Sequence, residues 1–224
     1  MCGRFTLTVS EFEIYEAFGL EGKSDFSDYL PRYNIAPGQE ILSIIHDGTK
    51  KRMGPIKWGL VPSWSKDKKI GYKMINARSE TAHEKPSFKR LMANKRCLIV
   101  ADSFYEWKKT EAGKQPKRIY LENRPLFAFA GLWDKWEKDG EVLFTCTILT
   151  KEANSFMSDI HDRMPVILPE GKENEWINPN ATDPIERAAF LQEIEISDLA
   201  AYNVSNTVNS VKNEEKACIE PLSS

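Results

Sequence analysis

The chain has 224 residues, of which 41% are hydrophobic, 11% aromatic and 29% charged, an ordinary balance for a globular protein with a sizeable core. The formal net charge of −2 excludes a protein that coats nucleic acid through bulk positive charge. No apolar run approaches the roughly 20 residues needed to cross a bilayer, so we expect one domain over residues 1–224 that is not membrane-bound.

The predicted elements begin with a helix over residues 10–19, where Ser10 and Glu13 form a capping box ahead of apolar residues at helical spacing. The segment RYNIAPGQ predicts a structured turn. A second helix is predicted for PSFKRLMANKR, and an Asp-Pro pair at 183–184 begins a third, which runs through LQEI.

Short β-like runs separate these helices, without the regular strand–helix alternation of a doubly wound parallel sheet. They are GRFTLT, ILSIIH, MGPIKWG, CLIVAD, FYEWKK, RIYL, LFAFAG, VLFTCTIL and MPVIL. Their number and spacing predict a single α+β domain with a mixed, mostly antiparallel, barrel-like β core and peripheral helices.

Charge is unevenly distributed along the sequence. Residues 66–118 hold 15 Lys and Arg against 6 Asp and Glu, a local charge of +9 that leaves −11 for the rest of the chain. Any single lysine here is better explained as part of a solvated surface. The asymmetry as a whole favours a nucleic-acid or phosphate partner.

The four cysteines are Cys2, Cys97, Cys146 and Cys218, and their spacing matches neither a zinc site nor a disulfide framework. Cys97 and Cys146 lie inside apolar runs, which is typical of small core residues. Cys2 is therefore the thiol whose presence packing explains least. No metal site is predicted from Cys2 and the three histidines.

Three further residues are chemical candidates with an ordinary alternative for each. Glu106 is either a surface carboxylate on an alternating strand or an inward one, whose pKa burial would raise toward neutrality. His161 is either a satisfied structural histidine or a proton shuttle. Trp64 lies in a polar, lysine-rich loop, where an exposed ring is suited to stacking on an unpaired base.

Seven motifs, in order along the chain, carry a resemblance that extends from residue 2 to about residue 213. They are MCGRF, RYNIAPG, WGLVPSW, INARSET, ADSFYEW, IHDRMPVIL and VSNTVNSVKN. Together they closely resemble the SRAP family, the SOS-response-associated peptidases, which are understood as sensors that crosslink to abasic sites in single-stranded DNA. The resemblance implies a single α+β domain with a barrel-like core and a positively charged DNA channel.

The resemblance implies that removal of Met1 exposes the α-amine and the thiol of Cys2, with ordinary pKa values of ~8 and ~8.5. The amine would form a Schiff base with the aldehyde of the opened abasic sugar, and the thiol would close a thiazolidine. By the same resemblance Asn76 orients the terminus, Glu106 acts as general acid and base, and His161 assists ring opening. AP lyase activity and self-removal of Met1 are possible accompanying reactions.

The resemblance also implies DNA contacts that position the strand without reading its sequence. These contacts fall on Arg4, Pro37, Trp64, Arg78, Trp107, Thr150, Arg163 and Ser205. Some members of the family carry adjacent tryptophans where this chain has Trp64 followed by Ser65, which puts the preference for single-strand/duplex junctions in doubt. We expect no cofactor or metal, a monomer, and a cytoplasmic protein associated with the nucleoid.

Two alternatives remain open on the sequence. Cys, His and Asn are also the residues of thiol peptidases, although peptide cleavage has no need for the amine of an N-terminal cysteine. The basic middle and Trp64 alone would suit a non-catalytic module that binds single-stranded nucleic acid. Such a module would keep its binding when Cys2 is replaced.

Overall fold

The computed structural model describes residues 2–21 and 29–222, and these ranges are dominated by β-strands. Met1, whose removal the resemblance implies, lies outside them. In chain order the strands are β1 (Phe5–Leu7), β2 (Arg32–Ile35), β3 (Glu40–His46), β4 (Lys51–Trp58), β5 (Asn76–Arg78), β6 (Arg96–Ala101), β7 (Ser103–Thr110), β8 (Gly113–Leu121), β9 (Phe127–Lys138), β10 (Glu141–Glu152), β11 (Arg163–Pro165), β12 (Ile167–Leu168) and β13 (Leu199–Asn203).

The helices are short and lie between the strands. They are α1 (Glu11–Phe18), α2 (Ser79–Ala82), α3 (Lys89–Asn94), α4 (Ser155–Ser158), α5 (Lys172–Trp176) and α6 (Pro184–Glu193), with 3-10 helices at Lys68–Lys73, Asn206–Asn209 and Lys216–Ile219. Within the described ranges, none is long and apolar enough to span a bilayer.

Five strands close into a barrel. Strand β3 pairs with β4 and β6, β6 pairs with β9, and β9 pairs with β10, all antiparallel. The parallel pairing of β10 with β4 closes the ring. This confirms the predicted mixed, mostly antiparallel barrel within an α+β fold.

A second sheet of five strands, in the order β13-β8-β7-β1-β2, packs against the barrel. Aromatic rings join the two sheets: the Phe129 ring of β9 lies 5.8 Å from Phe5 of β1 and 6.0 Å from Phe104 of β7. Phe5 also contacts Trp58 at the end of β4, with ring centroids 5.3 Å apart. The first strand of the chain is thus part of the core between the sheets.

Two glycines fix the segment that leads into β5. A Cβ atom on Gly59 would lie 2.8 Å from the Gly71 carbonyl oxygen, and one on Gly71 would lie 2.7 Å from the Gly59 oxygen. Gly59 also has a φ of +128°, which side chains strongly disfavour. The 3-10 helix Lys68–Lys73 therefore rests directly on the backbone that follows β4.

Local signals predicted several elements well. Helix α1 begins at the capping box of Ser10 and Glu13, and α6 begins after Asp183 with Pro184 in its first turn. The predicted second helix is shorter than expected, since α3 spans only Lys89–Asn94. The RYNIAPGQ segment contains strand β2 before its turn, so the prediction of a turn alone was incomplete.

Gly131 of β9 provides a test of how tightly the barrel is packed. An added Cβ would lie 2.8 Å from both the Cys97 Sγ and the Ile99 Cδ1 of β6. We expect Gly131→Ala to lower the free energy of unfolding by about 1–3 kcal/mol, as overpacking does, measured by urea denaturation. Adding Ile99→Val removes one of the clashing carbons and should restore part of the lost free energy of unfolding. If the effects of the two substitutions on that free energy simply add, the explanation by a clash is contradicted.

Candidate active site

The beginning of the chain is held inside the protein. The Asn76 side chain, on β5, donates from Nδ2 to the backbone oxygen of Cys2 over 2.8 Å. The backbone N–H of Tyr105, on β7, donates to the Arg4 oxygen over 2.9 Å. Cys2 itself is completely buried within the main hydrophobic core. Two elements far apart in sequence, β5 and β7, therefore fix residues 2 and 4.

Burial determines the ionisation of the Cys2 thiol. It raises the pKa of the thiol well above the ordinary value, and the charge of the nearby Glu106 raises it further. The thiol is thus neutral at physiological pH. All four cysteines are buried. Cys97 and Cys146 are core residues as predicted, and Cys2 is buried as completely as they are.

Glu106 points inward from β7, with only 3% of its surface exposed. Its neighbour Tyr105 is also fully buried, so both faces of β7 are covered at this point. Burial raises the pKa of the Glu106 carboxyl to about 7. Of the two environments that the sequence left open, the structure has the inward one, where the carboxyl exchanges protons near neutral pH.

His161 follows α4 and is about one-third exposed. Its Nδ1 accepts a hydrogen bond from the backbone N–H of Arg163 over 3.0 Å, and the Asp162 carboxylate lies 2.8 Å from the same nitrogen. Burial lowers the pKa of the imidazole, so the neutral form prevails. The hydrogen bond from the Arg163 N–H requires the Nδ1 lone pair, which places the proton of the neutral ring on Nε2. When protonated, Nδ1 would donate to Asp162 instead.

One charge connects His161 with Glu106. Burial is the largest cause of the pKa shift of each residue. The negative charge of the Asp162 carboxylate is a smaller cause, and it raises both pKa values. The backbone N–H of Ala153 donates to the backbone oxygen of Asp162 over 3.1 Å, and this bond fixes the loop that carries Asp162 at the end of β10. The structure thus brings Cys2, Asn76, Glu106 and His161 into one neighbourhood.

Thr150, Arg78 and Arg163 form a group beside this neighbourhood. Thr150 of β10 is opposite Arg78 of β5 and Pro165 of β11 in the strand register. The Arg163 guanidinium donates to both carboxylate oxygens of Glu80, over 2.7 and 2.9 Å, and to the Thr150 backbone oxygen over 2.8 Å. Arg78 is exposed, whereas Arg163 has internal partners.

Arg4, Trp107 and Ser205 belong to a different layer. Arg4 is 9% exposed and donates to Asn34 Oδ1 over 2.7 Å and to the Val208 oxygen over 2.6 Å, with its guanidinium 5.9 Å from the Trp107 ring centroid. Ser205 caps the 3-10 helix Asn206–Asn209 through the N–H of Thr207. These interactions hold the C-terminal segment against the second sheet.

Trp64 and Pro37 lie on loops. The Trp64 side chain is 61% exposed, as its polar surroundings predicted. Pro37 lies in the turn between β2 and β3 and is half-buried. An exposed indole on a fixed loop provides a free face for stacking.

Two residues that hold candidate DNA-contact arginines in place were not singled out from the sequence: Glu80, which binds Arg163, and Asn34, which binds Arg4. Glu80 binds Arg163 across 83 positions in the sequence. Asn34 is fully buried and its Nδ2 donates to the oxygens of Ser210 and Asn213 over 2.9 and 2.7 Å. The available signal was their position inside INARSET and RYNIAPG. Within the described ranges, no group of three His, Cys, Asp or Glu residues is arranged to hold a metal ion.

Comparisons with known proteins agree over nearly the whole chain. A family model described as SOS response associated peptidase (SRAP) matches residues 1–211. The abasic site processing protein YoqW of Bacillus subtilis is 53% identical over 223 residues, which cover 98% of this chain and 99% of that protein. The abasic site processing protein HMCES of Gallus gallus is 36% identical over 228 residues, which cover 87% of this chain and 67% of HMCES.

A solved structure of a Bacteroides thetaiotaomicron protein superimposes with a TM-score of 0.88 at 26% identity, covering 99% of this chain and 100% of that one. A second, from Bordetella bronchiseptica, gives a TM-score of 0.75 at 26% identity, with 91% and 100% covered. The barrel, the second sheet and the buried first residues described above lie within the matched range. This chain belongs to the SRAP family.

Proposed function

We propose that this protein processes abasic sites in DNA by capturing the opened sugar on residue 2, once Met1 has been removed. The observation that carries the proposal is the fixed Cys2, held by the Asn76 amide at 2.8 Å and accompanied by a buried carboxyl with a pKa of about 7. The relatives named abasic site processing proteins support the choice of substrate. A fixed residue with two nucleophiles and a proton acceptor suits capture of an aldehyde.

The first step is attack by the α-amine of Cys2 on the sugar aldehyde. The Asn76 Oδ1 is buried and has no hydrogen-bond partner among the described residues, so it can accept a hydrogen bond from this amine. The Glu106 carboxylate takes the proton of the ammonium form, which makes the nitrogen nucleophilic. Glu106 then returns a proton to the carbinolamine hydroxyl, which leaves as water and yields the Schiff base.

The second step is addition of the Cys2 sulfur to the imine carbon. Since burial keeps the thiol neutral, the thiol has to lose its proton as the carbon–sulfur bond forms, and Glu106 is the nearby base. Ring closure forms one carbon–sulfur bond and breaks the sulfur–hydrogen bond and the π bond of the protonated imine. The π electron pair returns to the nitrogen, the Glu106 carboxylate takes the proton of the sulfur, and the product is a five-membered thiazolidine. Both nucleophiles belong to one residue, so this step has the advantage of an intramolecular reaction.

His161 is assigned to the opening of the sugar ring. Since Nδ1 accepts from the Arg163 N–H, we assign the proton donated to the sugar ring oxygen to Nε2. The lowered pKa of the imidazole keeps the ring neutral at neutral pH. No step in this sequence calls on a metal ion or an organic cofactor.

Binding of single-stranded DNA is assigned to the exposed residues around the site. Arg78 offers an exposed guanidinium for a phosphate, and Trp64 and Pro37 offer surfaces for bases. Phosphate contacts of Arg4 and Arg163 stay predictions, because both guanidinium groups already have internal acceptors. Contacts of Trp107, Thr150 and Ser205 with DNA are likewise predictions.

The central prediction concerns Cys2. Incubation with an oligonucleotide containing one abasic site should give a slow-migrating covalent species on a denaturing gel, and this species should be absent for Cys2→Ala. Since Cys2→Ala keeps the α-amine, borohydride should still trap its Schiff base.

Cys218→Ala is the matched control, because it removes another buried thiol and should crosslink like the wild type. Retention of Met1, verified by mass spectrometry, should abolish both products. A stable adduct that persists in Cys2→Ala would contradict the mechanism. Casein cleavage that depends on Cys2 would favour a peptidase, and binding without any adduct would favour a non-catalytic module.

A second prediction concerns pH. Glu106 has to be ionised to accept the proton of the Cys2 ammonium. The rate of adduct formation should therefore rise with pH, with the midpoint of the rise near 7. In Glu106→Gln the rise should follow the free α-amine, with a midpoint of ~8, and the rate should fall by roughly 10²–10⁴-fold. An unchanged midpoint in Glu106→Gln would remove Glu106 from the proton transfer.

A further inference from the structure

A cavity of about 200 Å³ lies between the end of β4 and the 3-10 helix Lys68–Lys73, and none of the steps above uses it. Its apolar walls include Trp58 and Leu143, and the 3-10 helix Lys68–Lys73 forms one side. A volume of about 200 Å³ is on the scale of one planar ring system and too small for a folded peptide segment.

The most exposed aromatic residue on this cavity is Tyr72, with 75% of its surface accessible. Its Cε1 atom lies 4.0 Å from the position a Cβ would take on Gly38, so the ring stands over the turn that contains Pro37. The Tyr72 backbone belongs to the 3-10 helix Lys68–Lys73, so the ring projects from an ordered segment of the chain.

The cavity rim is cationic. Lys57, Lys68 and Lys69 line it, and all three are exposed. Lys68 pairs with Glu141 over 2.8 Å at the surface, where both side chains are about half accessible. Lysines around an exposed aromatic ring are the combination that binds single-stranded nucleic acid, since the ring stacks on a base and the cations meet the phosphates.

The backbone connects the cavity directly to the site. The Trp58 indole donates from Nε1 to the Ile75 oxygen over 2.8 Å, and Ile75 immediately precedes Asn76. The backbone N–H of Leu60 bonds to the Met74 oxygen over 3.1 Å. With the close contact of Gly59 and Gly71, these bonds leave the wall of the cavity little freedom to move relative to the residue that holds Cys2.

We propose that this cavity binds one unpaired nucleobase of the strand that flanks the lesion, with Tyr72 stacking on it and the lysines meeting the adjoining phosphates. The inference rests on the proposed function, because it names the occupant as part of the same DNA strand. It adds a base-binding subsite carried by the segment Lys68–Lys73.

The test is non-covalent binding of an undamaged single-stranded oligonucleotide to the Cys2→Ala protein, with and without Tyr72→Ala. Tyr72→Ala should weaken binding by roughly five-fold to 150-fold, the range expected for one lost stacking contact, and Tyr72→Phe should not. Phe12→Ala removes an equally exposed ring, 68% accessible, from α1, and should leave binding unchanged.

Two results would overturn the subsite. One is that Tyr72→Ala leaves the affinity for the oligonucleotide unchanged, or that the Cys2→Ala protein with Tyr72 intact does not bind the oligonucleotide at all. The other is that Tyr72→Ala weakens binding of inorganic polyphosphate as much as it weakens binding of the oligonucleotide. Polyphosphate has no bases, so an equal loss would show that Tyr72 does not act by stacking on a base.

The adduct assay separates this inference from the proposed function. At saturating abasic DNA, Tyr72→Ala should form the adduct at the wild-type rate, while a higher DNA concentration is needed to reach that rate. Loss of stacking at Tyr72 without any Cys2 adduct in the parent protein would refute the proposed function and leave the subsite standing.

Discussion

The structure depends on the burial of its first residues. A chain terminus is usually frayed, but here β1 pairs with β2 on one side and β7 on the other. Strand pairing and the contacts of Phe5 offset the entropy lost by ordering this end. The Asn76–Cys2 hydrogen bond then joins the terminus to β5, and through the pairing of β5 with β10 to the barrel. Residue 2 is therefore fixed relative to both sheets.

The same burial determines the order of the proposed chemistry. A low-dielectric environment favours neutral groups, and it acts on the Cys2 thiol and the Glu106 carboxyl alike. The carboxyl starts from a much lower ordinary pKa, so burial brings it to about 7, whereas the thiol is moved further from ionisation. At neutral pH the available base is consequently Glu106. A pre-formed thiolate is not needed, because the amine attacks first and the thiol transfers its proton only as the ring closes.

Sequence reasoning succeeded where the deciding interactions are local. The capping box of α1 lies within four residues, and the strands of the barrel follow from short apolar runs. It failed where the partner is distant: nothing near Cys2 indicates burial, because the register that buries it pairs Phe5 with Phe104. Likewise nothing near Arg163 in the sequence indicates that its guanidinium binds Glu80, which lies 83 positions away. The catalytic candidates came from a resemblance of motifs, and their proximity is a property of the fold.

Counting charges along the sequence overstates the basic surface. Arg96 lies in the basic stretch, yet it is 5% exposed and donates to four backbone oxygens around α3 and α5. Arg118 bonds to Ser103 and the Tyr202 hydroxyl, with 17% of its side chain accessible. A guanidinium enclosed by such acceptors stabilises the fold and contributes little to the field outside. In the proposed complex with DNA, the attraction of the polyanion therefore comes from exposed cations, of which Lys69 beside Tyr72 is one. The net charge of the whole chain does not measure this attraction.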